Sequence, residues 1–72
     1  MSQLRNVKGK DAIQVFVKAG GIQRTGKGDH VNIKMPNGQI ITISNSKVLK
    51  IGLLKAAIQK AGLTDDEFLR LL

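Results

Sequence analysis

The stretch that most constrains the fold runs from His30 to Ser44, "HVNIKM-PNG-QIITIS". Two alternating runs flank a Pro-Asn-Gly. Successive side chains of a strand point to opposite faces, so Val31, Ile33 and Met35 share one side, and His30, Asn32 and Lys34 the other. The turn decides which residues of the second run join them. A two-residue Asn-Gly turn would pair Pro36 with Gln39 and set Ile33 opposite Thr42. A three-residue loop has Pro36 and Asn37 in a type I turn and Gly38 left-handed. It pairs Met35 with Gln39, Ile33 with Ile41 and Val31 with Ile43. The second register collects the apolar side chains on one face and is the one predicted. It sets His30 opposite Ser44 and Asn32 opposite Thr42, on the polar face.

The other elements are read from helical periodicity and glycine stops. "KDAIQVFVKAGG" reads as a helix with Ala12, Ile13, Phe16, Val17 and Ala19 in one arc, Val15 out of place and Gly20 at the end. "GIQRTGKG" is a short strand and a glycine turn. "NSKVLKIG" is a polar connection in which Asn45 or Ser46 caps the second long helix. That helix is "IGLLKAAIQKAG", with Ile51, Leu54, Ala57, Ile58 and Ala61 on one side and Gly62 at its end, flanked by solvated Lys55 and Lys60. "TDDEFLRLL" carries a capping box, Thr64 with Glu67 three residues on. Its apolar side of Phe68, Leu69, Leu71 and Leu72 is a lid over the core or, alternatively, a sticky end for a partner.

The expected fold is α+β: helix, three antiparallel strands, helix and a short C-terminal helix, in two layers and one domain over residues 1–72. Both long helices cover the apolar face of the sheet. The other face is open and polar, and it carries His30. A chain of this length buries only about 60% of the surface it exposes when unfolded, so any activity has to sit on the face of a small scaffold.

Composition narrows the chemistry. There is no cysteine, which excludes disulfides, thiolate catalysis and most zinc sites. With a single histidine, no metal and no cofactor are expected. "MSQLRNVKGK" has no apolar run that would make a leader, and no stretch approaches the roughly 18 apolar residues of a membrane span; the expectation is a soluble, cytoplasmic protein. Twelve Lys and Arg against five Asp and Glu give a net charge of +7. That field favours polyanions or an acidic protein partner. Tyr and Trp are absent and both Phe residues fall in helical patterns, which argues against an aromatic base-stacking platform.

"GIQRTGKG" is not a phosphate-binding loop of the Gly-x4-Gly-Lys-Ser/Thr kind, because its glycines open a strand rather than a helix. An exposed His30 beside a glycine turn, with Arg24, Lys27 and Lys34 near it, is nonetheless a minimal set for RNA cleavage. Histidine serves as acid or base near neutral pH. Glycine amides such as that of Gly28, and the lysines, stabilise charge at phosphorus. The RNA brings its own nucleophile, the 2′-hydroxyl. On these residues alone, an ordinary surface histidine is the favoured reading.

Three motifs carry a resemblance to a known family: "GKGDH" after a short strand, "PNGQIITI" directly beyond it, and "KIGLLKAAIQKAGLTDDEFLRLL" at the C-terminal end. Together with the opening "KGKDAIQVFVKAGGIQ", they make residues 8–72 similar to the HicA (YcfA-like) toxins of type II toxin–antitoxin systems. The resemblance implies a fold like a double-stranded-RNA-binding domain, cleavage of mRNA, and neutralisation by a HicB-type antitoxin that covers the active face. It makes His30 the catalytic histidine, with Gly26, Lys27 and Gly28 in the matching turn; from the residues themselves, Arg24, Lys27, Gly28 and Lys34 are the expected RNA contacts. Where the family usually has Gly-Ser-His-His, this chain has Gly-Asp-His-Val; Asp29 either pairs with His30 or repels a phosphate. "ISNSK" lacks the second histidine that many members carry after the last strand, and Gly52-Leu53 stands where Gly-Thr is common. A non-catalytic RNA-binding module and an interaction domain for an acidic protein are the alternative functions.

Overall fold

In the computed structural model, which describes residues 4–72, the hairpin adopts the predicted register. β2 (His30–Lys34) and β3 (Ile40–Ser44) are antiparallel, with Ile33 opposite Ile41, Val31 opposite Ile43 and His30 opposite Ser44. The loop closes with the Met35 amide donating to the Gln39 carbonyl at 2.8 Å and the Gly38 amide to the Met35 carbonyl at 2.9 Å. Gly38 has φ 88°, the left-handed value that a three-residue loop demands at this position. β1 (Ile22–Thr25) pairs with the other side of β2, so the sheet order is β1-β2-β3.

Three helices complete the chain: α1 (Gly9–Lys18) before the sheet, α2 (Ile51–Lys60) and α3 (Asp65–Leu71) after it. The architecture is α+β with an open three-stranded antiparallel sheet, as the pattern predicts. Ile33, Met35, Ile41 and Ile43 from the sheet meet Ala12, Ile13 and Phe16 of α1, Leu54 and Ile58 of α2, and Phe68 of α3 in one core. Phe16 and Phe68 are fully buried, with ring centroids 5.5 Å apart and tilted by 55°. α3 is therefore a lid. Its capping box is present on both arms: Thr64 Oγ1 accepts from the Glu67 amide, and Glu67 Oε1 accepts from the Thr64 amide.

Four local expectations need correction. The buried arc of α1 is rotated toward Val15, which is 1% exposed, and away from Val17, which is 40% exposed. Leu71 and Leu72 and the segment Arg5–Val7 line one hollow together with Val15, so α1 is covered from a side that periodicity against a sheet alone does not include. Neither Asn45 nor Ser46 caps α2. Its N-cap is Lys50, without a side-chain cap, and the segment before it is held instead by Lys8 bridging Val48 and by the Leu49 amide donating to the Val7 carbonyl. Ile51 of α2 is substantially exposed rather than on the buried side. The open face of the sheet is not wholly polar: Ile22 and Ile40, which pair with Lys34 from either side, are exposed on it. Ile40 and Ile41 are consecutive, so one of them has to face outward. Residues 1–3, part of the stretch read as lacking an apolar leader, lie outside the described residues. Among those described, no helix is long and apolar enough to cross a membrane.

Candidate active site

His30 opens β2, and the turn before it is built by close backbone approach. The Gly26 backbone lies against the His30 carbonyl so tightly that any side chain at 26 would collide with it. Gly28 has φ 63°, which lets the chain reverse before Asp29. The turn is closed by two contacts on one acceptor. The Lys27 carbonyl receives the His30 amide at 3.1 Å and stands 3.3 Å from His30 Nδ1. A carbonyl only accepts, so Nδ1 is the donor in this arrangement, and in the neutral ring Nε2 then keeps its lone pair. The turn itself thereby sets the tautomer and the orientation of an exposed imidazole.

Asp29 does not form the ion pair considered from the sequence. Its Oδ2 accepts from Ser46 Oγ at 2.7 Å, Ser44 Oγ at 2.8 Å and the Ser46 amide at 3.1 Å, and its backbone carbonyl accepts from the Asn45 amide. These hydrogen bonds, from Ser46 first and then Ser44, hold the carboxyl below its ordinary value of 3.8, with a smaller electrostatic contribution from His30. Asp29 is thus a staple between the start of β2 and the connection after β3. Sequence reasoning misses Ser44 and Ser46 as site residues. The one signal for them is the predicted pairing of His30 with Ser44, which brings Ser44 beside the strand end that Asp29 precedes.

The other candidate contacts divide by position. Arg24 pairs with Asn32, two residues along β2 from His30 and on the same open face. Lys27 and Gly28 form the turn, and both are exposed. Lys34 shares the face but sits four residues further along β2, about 13 Å from His30 by strand rise. It is flanked there by Ile22 and Ile40. The structure therefore gathers His30, Arg24, Lys27 and Gly28 at one end of the sheet and leaves Lys34 at the other. Between Asn32 and Thr42, in the middle, Thr42 Oγ1 donates to Asn32 Oδ1 at 2.7 Å.

His30 also borders a groove that the sequence does not reveal. The open face runs up to α2, where Thr42, Ser44 and His30 meet Leu49, Leu53, Leu54 and Ala57 around a hollow of about 240 Å³. Its one sequence signal is Leu53, on the polar flank of a helix whose buried side is already supplied by Leu54 and Ile58; it is 67% exposed.

A family model described as the HicA toxin of bacterial toxin–antitoxin systems matches residues 9–63, from the first residue of α1 to just beyond α2, with the glycine turn and His30 inside the matched span. No curated protein matches the chain. The matched span is well over half of the 72 residues, and the chain belongs to the HicA family of toxins of bacterial toxin–antitoxin systems.

Proposed function

We propose that this toxin is an endoribonuclease that cleaves mRNA with His30 as its acid–base group, and that a HicB-type antitoxin neutralises it by covering the open face of the sheet. The reading carries with it the double-stranded-RNA-binding-like fold that the resemblance implies, and a cytoplasmic site of action where mRNA is found. The observation that supports it most is the state of His30: exposed, at the end of an open face, with Nδ1 anchored on the Lys27 carbonyl and no partner for Nε2 among the described residues.

The chemistry needs little more. Nε2 takes the proton of a 2′-hydroxyl, and the 2′-oxygen attacks the adjacent phosphorus. The bond to the 5′-oxygen breaks, and that oxygen takes a proton from the solvent that reaches this face. Arg24 and Lys27 bring positive charge to the phosphate, and the backbone amides of the Lys27–Gly28 turn add donors to the oxygens that gain charge. Lys34, further along the strand, serves a neighbouring phosphate rather than the reacting one.

Growth arrest on expression tests the proposal in the cell. His30→Ala, produced at the same level, is expected to abolish the arrest. Because His30 is on the surface and outside the core, the variant should melt with the parent. Arrest by a folded His30→Ala chain as strong as that by the parent contradicts the assignment.

A further inference from the structure

The groove beside His30 has a fixed hydrogen-bonding polarity. Asp29 Oδ2 is an acceptor, so the hydroxyl protons of Ser44 and Ser46 point at it. The Thr42 hydroxyl proton is likewise committed, to Asn32 Oδ1. A hydroxyl has one proton, so Thr42 and Ser44 offer only lone pairs to anything that enters the groove. The far wall is aliphatic: Leu49, Leu53 and Ala57. The hollow, at about 240 Å³, is smaller than the roughly 300–1,000 Å³ of ordinary ligand pockets. A hollow of that size is on the scale of a single heterocycle rather than of a drug-sized ligand.

We infer that this groove is a nucleobase subsite, which takes a base splayed out next to the cleaved phosphate and selects one with an exocyclic amino group, adenine, cytosine or guanine, over uracil. The inference rests on the ribonuclease reading for its choice of ligand. Unstacked bases are held between flat or apolar side chains and read along their edges. Here Leu53 and Ala57 supply the apolar wall in a chain without Tyr or Trp. The amino group supplies the N–H that acceptor-only hydroxyls require. Uracil presents a single N–H between two carbonyl oxygens, and those oxygens meet the same lone pairs. The strongly basic chain attracts any RNA regardless of sequence, so the groove adds discrimination rather than bulk affinity.

The test uses the intact wild-type chain and short 2′-O-methyl oligonucleotides, which bind without offering a nucleophile. Oligo-adenylate and oligo-cytidylate are expected to bind at least fivefold tighter than oligo-uridylate, and replacing adenine by purine, which lacks the 6-amino group, should remove the advantage. Thr42→Val and Ser44→Ala should each shrink the adenine-over-purine ratio, and Leu53→Ser should weaken all bases while leaving the salt dependence unchanged. Equal binding of adenine, purine and uracil overturns the inference, as do variants that weaken binding of the antitoxin alone. Base selectivity without cleavage of unmodified RNA keeps the subsite and removes the nuclease; cleavage without base selectivity does the reverse.

Discussion

Asp29 and His30 are adjacent in the chain and have separate tasks. The Asp29 carboxylate is occupied by Ser44 and Ser46. It braces the turn that carries the imidazole. This has a pH consequence whose sign is fixed by the direction of the shift. The folded Asp29 carboxyl lies below its ordinary 3.8. Its contribution to stability is therefore complete above that value and is lost as pH falls through the lower, folded value. Thermal melts from pH 6 down to pH 2.5 are expected to show a loss of melting temperature below about pH 4 that is smaller in Asp29→Ala. Parallel profiles for the two chains would show that the staple contributes nothing.

At the scale of elements, alternation plus turn chemistry makes the hairpin legible residue by residue, because a slip of one residue would put Val31, Ile33 and Met35 in water. The capping box is equally legible, since both of its partners lie within one turn. Thr64→Ala removes the acceptor for the Glu67 amide and is expected to cost about 1 kcal/mol, or about 4–8 °C in melting temperature for a domain of this size. An unchanged melt would mean that α3 is held by Phe68 alone. The features hidden from the sequence depend on contacts distant along the chain. Val15 is buried on a side of α1 where Leu71, Leu72 and the segment before α1 line a hollow with it. Ser46 has the look of a helix cap and instead answers Asp29, 17 positions back. Local periodicity carries no information about either. The same applies to the site: His30, Arg24, Lys27 and Gly28 are readable as a cluster, whereas the groove forms only when β3 and α2 come together.

The whole molecule measures 17 Å along its shortest axis, two layers thick. A domain of this length is stable by roughly 4–11 kcal/mol at the usual 0.05–0.15 kcal/mol per residue. Phe68 and Phe16 form the joint between α3 and α1, and Phe68→Ala is expected to cost about 3–5 kcal/mol, a large part of the total. Denaturant titration should show Phe68→Ala partly unfolded or close to it at 37 °C; a loss below 1 kcal/mol would mean that α3 is peripheral to the core. With the fold held this economically, function is confined to the surface, and there the basic charge, the open sheet and a histidine with one free nitrogen coincide. The most direct measurement is incubation of the purified chain with an end-labelled RNA beside His30→Ala. The parent is expected to cut the RNA in a chelator, and His30→Ala is expected to be at least 100-fold slower, in line with the loss of a general acid–base group, while binding the RNA with similar salt dependence. RNA left intact by the parent, or cut equally fast by His30→Ala, contradicts the account.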